Sequence, residues 1–223
     1  MPWQAVFGAL ARALEGQSLP AVSEVAARRG PLKGPRRGKP FAVLVSTMIS
    51  LRTKDEVTAA ASARLLARAG SPGELAALSE RTIARLIYPA GFYRTKARHL
   101  RQAGRLLAER HAGRVPEAME DLLALPGVGR KTANLVRNLG FGLPGICVDT
   151  HVHRISNRLG WVRTRTPLET ERALEARLPR RYWIPVNGFL VAFGQRTCTP
   201  LSPKCSQCPI RRHCARVGVG RSR

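Results

Sequence analysis

The chain has 223 residues, of which 38 are Lys or Arg and 14 are Asp or Glu, giving a formal net charge of +24. Only six of the basic residues are Lys and 32 are Arg, whose planar guanidinium suits phosphate oxygens, so we expect a nucleic-acid partner. A hydrophobic fraction of 44% excludes a disordered chain, and the sequence has neither an apolar run long enough for a membrane span nor a secretory signal, so a cytoplasmic protein is expected.

Apolar residues recur at helical spacing along most of the chain, whereas the alternating runs typical of strands are scarce. An all-α fold is therefore predicted. The helical patterns cover, in chain order, residues 6–14, 41–49, 57–66, 75–78, 83–87, 100–107, 119–125, 132–139, 152–159, 168–178 and 186–193. Two helix starts are well marked, because Ser71 and Thr166 each precede a Pro in the first turn and a Glu three residues later.

Two segments are predicted to lie outside the helices. Residues 28–40 combine Pro, Gly and uninterrupted positive charge, which favours a solvated linker, with phosphate contact as the second interpretation. The tail, residues 217–223, has too little apolar content to pack, so we expect it to be frayed.

Four of the five cysteines form a C-x6-C-x2-C-x5-C array near the end of the chain: Cys198, Cys205, Cys208 and Cys214. Disulfides are improbable without a secretion signal, so thiolate ligation of a metal is the simpler interpretation. Both tetrahedral zinc and a four-iron cluster accept four cysteines. Because only one pair has the short spacing usual in zinc sites, the array favours a [4Fe–4S] cluster. The fifth cysteine, Cys147, lies between Ile146 and Val148 and is interpreted as a buried apolar residue.

A glycine-rich turn separates two of the predicted helices. Gly127 and Gly129 permit a tight turn with outward backbone N–H groups, and the helix that follows begins with Arg130 and Lys131. Such a turn can hold a phosphate without reading bases, which predicts DNA binding without sequence preference. Taken alone, the same residues also fit an ordinary connection between two helices.

The hairpin at 125–131, the Val148–Arg154 segment and the cysteine array, in this order, resemble the endonuclease III family of helix-hairpin-helix DNA glycosylases. The resemblance extends from about residue 41 to residue 214. It implies two helical domains that flank a DNA-binding cleft. Residues 33–143 would form a six-helix barrel with the helix-hairpin-helix, and residues 1–32 plus 144–223 would form the [4Fe–4S] cluster domain.

The resemblance also implies base-excision chemistry on double-stranded DNA. Lys131 would attack C1′ of a damaged nucleotide as a neutral amine, and the Schiff base that forms would allow β-elimination at an abasic site. Asp149 would assist the lysine and stabilise the positive charge that develops on the sugar. Asp149 can also cap the helix that begins at Thr150. Because related enzymes that excise adenine, and some mismatch enzymes, lack a lysine at this position, a bifunctional glycosylase and lyase is favoured.

Arg52 departs from the family pattern. Most members have Gln there, which fills the space left by the displaced base, whereas Arg is always charged and reaches guanine acceptors. Oxidised pyrimidines are the substrates that the resemblance implies, but uracil or thymine opposite guanine, or mainly abasic-site cleavage, stay open. Phe92 occupies the place of the family's apolar wedge, with packing against Ile87 as the alternative.

The remaining candidate residues are two histidines after Asp149 and a lysine between the first two cysteines. His151 is expected to form hydrogen bonds on the DNA side and His153 to be structural, because residues two apart on a helix face different sides. In the family, the loop between the first two cysteines presents basic side chains to DNA, which corresponds to Lys204. We expect a monomer acting on DNA at the nucleoid; a non-enzymatic module that binds distorted DNA is the alternative from another class.

Overall fold

The structure is a computed structural model and describes residues 1–16, 20–27 and 38–223. All regular secondary structure in the described residues is helical, with no strand among them, so the predicted all-α class is confirmed. The α-helices are α1 (Trp3–Ala13), α2 (Ala21–Ala27), α3 (Gly38–Ser50), α4 (Asp55–Arg68), α5 (Pro72–Ala77), α6 (Glu80–Ile87), α7 (Tyr93–Arg110), α8 (Met119–Leu123), α9 (Arg130–Leu135), α10 (Thr150–Arg158), α11 (Pro167–Glu175) and α12 (Pro185–Arg196). A π-helical segment, Val136–Phe141, continues α9.

The chain divides into two compact units. Unit 1 combines the described part of Met1–Pro20 with Pro144–Arg223, and unit 2 consists of the described part of Ala21–Leu143. The two units meet along the chain at 20/21 and at 143/144, and α2 packs against α3 and α4 of unit 2. The expected domains, 33–143 and 1–32 plus 144–223, stay a prediction.

Unit 2 is built around α3. Residues 41–45 and 48–49 of this helix are almost fully buried, and α3 contacts α2, α4, α7, α9 and the π-helical segment. A helix that is apolar on most sides is suited to this central position. The surrounding helices contribute one buried face each, as α7 does with Ala97, Leu100 and Leu107.

Unit 1 has a separate core to which the N-terminal helix contributes. Val6, Phe7 and Leu10 of α1 are buried with residues of α10 and α12. The Phe7 ring stacks on Tyr182 with ring centroids 4.1 Å apart, and the fully buried Trp161 lies beside Phe7. Helix α1 therefore belongs to the same core as the C-terminal helices.

Both predicted helix starts are confirmed. The Ser71 hydroxyl accepts from Glu74 N, and the Glu74 carboxylate accepts from Ser71 N, which completes a capping box. Thr166 likewise accepts from Glu169 N. The hydrogen bonds from Arg165 N and the Thr166 hydroxyl lower the pKa of the Glu169 carboxyl.

Two predictions about irregular segments were wrong. The linker expected over residues 28–40 ends earlier, because α3 already begins at Gly38; the remainder of that segment lies outside the described residues. The tail is not frayed in the structure. Val217 N donates to Arg158 O, Arg223 N donates to Pro203 O, and Ser206 N donates to Arg223 O, so backbone hydrogen bonds hold the tail where apolar packing is scarce.

Candidate active site and cluster loop

The glycine turn between α8 and α9 is flanked by two residues with buried side chains, Leu125 and Val128. Val128 N donates to Leu125 O at 3.1 Å, which closes the turn. Gly127 has φ +76°, and a Cβ there would lie 2.7 Å from His99 Nδ1. Glycine is therefore required at 127 by both backbone conformation and space.

Lys131 is the second residue of α9. Gly129 is the N-cap and has no side chain to cap the helix, so the first backbone N–H groups of α9 point out of the helix end. Lys131 is half-buried, Arg130 is exposed, and the next two residues are buried in unit 2. The structure thus places Lys131 directly after the exposed turn, at the positive end of a helix.

Asp149 is the N-cap of α10. Its Oδ1 accepts from His151 N and from Val152 N, both at 2.9 Å. The capping role predicted for Asp149 is confirmed. Asp149 belongs to unit 1 and Lys131 to unit 2, so their joint action is a proposal, made below.

The two histidines of α10 have different surroundings. His153 Nδ1 lies 2.7 Å from the Thr170 hydroxyl on α11, within unit 1, which fits a structural role. His151 Nδ1 lies 3.2 Å from Arg154 Nη2, and a Cβ at Gly194 would lie 2.5 Å from the same nitrogen. The DNA-side role of His151 stays a prediction.

Arg52 and Phe92 come together on the surface of unit 2. The Arg52 guanidinium carbon lies 5.5 Å from the centroid of the Phe92 ring, within the range of cation–π contacts. Phe92 is 63% exposed, so the alternative that it packs in the core is wrong. Both residues have left-handed backbones, with φ of 52° and 57°.

Lys96, which lies beneath this pair on α7, was not predicted as a site residue. Lys96 is only 7% exposed, and burial lowers its pKa to about 8. Its Nζ donates to the carbonyls of Ile49 and Leu51 and to the Thr53 hydroxyl. The available signal was a lysine in line with Ala97 and Leu100 on the apolar face of a predicted helix.

The four cysteines of the array line one pocket in unit 1, together with apolar side chains that include Ile155, Phe193 and Ile210. None of the four is in a disulfide. Burial raises the pKa of the Cys208 and Cys214 thiols, and the neighbouring cysteines add to this effect. Bound iron would have the opposite effect on the thiol pKa, because a cation stabilises the thiolate.

This donor set fits an iron–sulfur cluster. Of the described residues that line the pocket none is acidic, while Arg158, Lys204 and Arg216 supply positive charge near four soft sulfur donors. In the described part of the chain, no three His, Cys, Asp or Glu side chains surround a single ion position. A four-iron cluster is compatible with this, because its thiolates bind different irons.

Two arginines of α10 hold the segment around the first cysteine. Arg158 is buried, and it donates to Cys198 Sγ at 3.5 Å and to the carbonyls of Thr199 and Pro200 at 2.7 Å. Arg154 Nη2 donates to Cys198 O at 2.9 Å, and burial lowers the pKa of this guanidinium. Lys204 N donates to Thr197 O, which places Lys204 at the edge of the same loop.

The class of protein follows from family comparisons. Residues 45–180 match the HhH-GPD superfamily of base excision DNA repair proteins, and residues 198–214 match the iron-sulfur binding domain of endonuclease III. The chain is therefore a base-excision DNA repair protein with a helix-hairpin-helix, and its cofactor is a [4Fe–4S] cluster, as predicted.

Individual relatives narrow the assignment. The chain is 52% identical over 175 residues to endonuclease III of Thermotoga maritima, covering 78% of this chain and 82% of that one. It is 46% identical to endonuclease III-like protein 1 of Bos taurus, covering 78% of this chain and 58% of that one. A solved non-covalent endonuclease III–DNA complex superposes with a TM-score of 0.80 at 30% identity, covering 97% and 96% of the two chains. A trapped endonuclease III–DNA covalent intermediate superposes with a TM-score of 0.75 at 33% identity, covering 88% and 93%. The chain belongs to the endonuclease III family, as its motifs predicted.

Proposed function

We propose that the chain excises damaged bases from double-stranded DNA and then cleaves the resulting abasic site, with Lys131 as nucleophile and Asp149 as the assisting carboxylate. The enzyme class is a bifunctional DNA glycosylase and abasic-site lyase. The observation that carries the residue assignment is the position of Lys131 in the first turn of α9, directly after the exposed turn at Gly127.

Both the base-release step and the strand-cleavage step use the side-chain amine of Lys131. Lys131 Nζ forms a bond to C1′ while the glycosidic bond breaks and the base leaves with a proton. The sugar ring opens to an imine between Nζ and C1′. Loss of a C2′ proton then expels the 3′ phosphate by cleavage of the C3′–O bond, and water releases the lysine. Asp149 would take the amine proton and stabilise the charge on the sugar.

Phosphate binding would be shared among several elements. The backbone of the turn at Gly127 and Gly129, with Arg130, offers donors that read phosphates and not bases. Lys204 at the cysteine loop and His151 on α10 are further proposed contacts. Cys198, Cys205, Cys208 and Cys214 are the proposed cluster ligands, and the cluster would fix the loop that carries Lys204.

The substrates proposed first are oxidised pyrimidines. A panel of duplexes with thymine glycol, dihydrouracil, uracil opposite guanine, thymine opposite guanine and an abasic site tests this. Base release from the first two, followed by strand cleavage, is expected. Strand cleavage at the abasic site alone would leave only the lyase, and binding without any cleavage would favour a non-enzymatic DNA-binding module.

A second candidate substrate class, uracil or thymine opposite guanine, is supported by Arg52. Its exposed guanidinium lies over Phe92 and can form two hydrogen bonds with guanine. If this class is right, Arg52→Gln will lose activity on the two guanine mismatches while keeping activity on thymine glycol. An unchanged panel would show that Arg52 does not set specificity.

We further propose that the enzyme acts as a monomer in the cytoplasm, at the nucleoid. The described part of the chain contains no helix that is long and apolar enough to span a membrane. Light scattering of the free protein and of its complex with a short duplex measures the stoichiometry; a dimer in either state would contradict the proposed monomer.

A further inference from the structure

Lys96 is a buried cation that donates hydrogen bonds to carbonyl groups at the C-terminal end of α3. Its Nζ lies 2.5 Å from both Ile49 O and Leu51 O, and 2.9 Å from the Thr53 hydroxyl. The last carbonyls of a helix have no partner within it, and a cation there is favoured by the helix dipole. All three ammonium donors are used on one short segment, residues 49–53.

Thr53 extends this connection to the turn before α7. Its hydroxyl also accepts from Gly91 N at 3.1 Å. At Gly91 a Cβ would lie 2.4 Å from Arg52 O, so the two backbones are in direct contact. Lys96 and Thr53 therefore join the segment that carries Arg52 to the turn that carries Phe92.

The two residues displayed by these segments are held in unfavourable backbone conformations. Arg52 and Phe92 both have positive φ, a conformation that is unfavourable for residues other than glycine. Such conformations persist only when the surroundings enforce them. Both side chains are exposed, and the backbone next to them is contacted by Lys96, at Leu51 O, and by Thr53, at Gly91 N.

We propose that Lys96 is a positioning residue that holds Arg52 and Phe92 as one unit, ready to enter the base stack beside a displaced nucleotide. The inference rests on the proposed function and on the roles that the family resemblance implies for these positions, where residue 52 fills the space left by the displaced base and residue 92 is the apolar wedge. Displacing a nucleotide from the duplex costs free energy, because stacking and base pairing are lost. A pair that is already ordered loses less entropy on insertion and so offsets more of this cost.

A double-mutant cycle tests the proposal. The probe is a duplex with a tetrahydrofuran abasic analogue, which cannot be cleaved, and 2-aminopurine as the opposite base. Lys96→Met, which removes the donors at similar length, should weaken binding about tenfold. In the Arg52→Ala/Phe92→Ala background the same change should have less than about a twofold effect, because there is no pair left to position.

Fluorescence gives a second measurement that a general loss of stability does not change. The wild type should raise the 2-aminopurine signal by disturbing the stack, and Lys96→Met should reduce that rise at saturating protein. Equal losses of affinity in both backgrounds, or an unchanged fluorescence rise, would overturn the proposal.

Two control variants and one substitute variant separate positioning by Lys96 from a simple loss of positive charge or of folding. Lys54→Met removes an exposed charge from the neighbouring segment and should leave affinity within about twofold. Lys96→Arg keeps a charged donor and should recover part of the affinity. If Lys96→Met does not fold, Thr53→Val breaks the link to Gly91 at the surface end and is carried through the same cycle.

Borohydride trapping of the wild type on a natural abasic site runs beside the cycle. A wild type that forms no adduct contradicts the proposed lyase, while the cycle on the non-cleavable duplex can still be interpreted. An adduct together with additive losses in the cycle contradicts only the role of Lys96.

Discussion

Asp149 combines structural and proposed chemical roles in one carboxylate. Its Oδ1 accepts two backbone N–H groups at the start of α10, and this cap depends only on an acceptor oxygen. The proposed work on the lysine and the sugar requires the negative charge. The two roles can therefore be separated by substitutions that keep or remove the oxygen.

Asp149→Asn should keep the cap and lose the chemistry. We expect base release to fall by about 100- to 10,000-fold while the free energy of unfolding changes little. Asp149→Ala should show the same loss of activity and be less stable by about 1 kcal/mol. Urea unfolding and single-turnover base release measure the two effects; near-normal activity in Asp149→Asn would refute the catalytic assignment.

Lys96 predicts a pH dependence of stability. Burial lowers its pKa from 10.5 to about 8, so in the folded state it loses its proton earlier than in the unfolded state. Between those two values the unfolded state binds more protons, and the contribution of this group to the free energy of unfolding rises with pH. Below pH 8 the buried charge is retained and this increase is absent.

The measurement is the difference in free energy of unfolding between wild type and Lys96→Met. Using the difference removes the effect of the other basic groups, which also lose charge at high pH. We expect this difference to shift in favour of the wild type as pH rises from about 8 towards 10.5. Parallel stability curves over this range would show that the pKa of Lys96 is not lowered.

The hairpin between α8 and α9 depends on glycine at position 127. Gly127→Ala places a side chain at φ +76° and against His99, which we expect to cost more than about 1–2 kcal/mol and to weaken binding to all duplexes alike. Gly129 has φ −99° and no atom within 4 Å of an added Cβ, so Gly129→Ala is the matched control for stability. Equal stability of the two variants would contradict the strain assigned to Gly127.

The helices were predictable because their apolar residues follow the helical period. The caps at Ser71 and Thr166 were predictable because the capping residue and its Glu partner lie within four residues of each other. Helix α2 was missed because it has seven residues and few large apolar side chains. The tail was misjudged because backbone groups hold it, and backbone hydrogen bonds leave no pattern in the sequence.

The candidate site shows the same limit. The hairpin, Asp149 and the cysteines lie in short local motifs, so their roles could be predicted from the sequence. The role of Lys96 could not be predicted, because its acceptors lie 43 to 47 residues away along the chain. The exposure of Phe92 also depended on the fold, since its neighbours Gly91 and Tyr93 do not determine which way the turn faces.

On the scale of the whole molecule, the net charge of +24 favours DNA, but few cations have assigned positions. Arg52, Lys131 and Lys204 are proposed at the lesion or at phosphates. Lys96, Arg154 and Arg158 are instead largely used inside the protein, on backbone carbonyls. The remaining arginines supply a diffuse field that steers DNA and weakens with salt.

The cysteine loop of unit 1 should depend on its metal. Cys205→Ser is expected to lose most of the iron and the brown absorption, because a four-iron cluster needs its thiolate ligands. Cys147→Ala is the matched control, since Cys147 is buried outside the array and should leave iron content unchanged. Iron and zinc are measured by elemental analysis; stoichiometric zinc in the wild type would reject the cluster.

The proposed chemistry depends on Lys131 as the nucleophile. Borohydride reduction of the enzyme on a natural abasic duplex should trap a covalent adduct, and peptide mapping should place it on Lys131. Lys131→Ala should remove the adduct, while the neighbouring Arg130→Ala should weaken DNA binding and still form it. An undiminished adduct with Lys131→Ala, or one mapped to another amine, would contradict the assignment of Lys131 as the nucleophile.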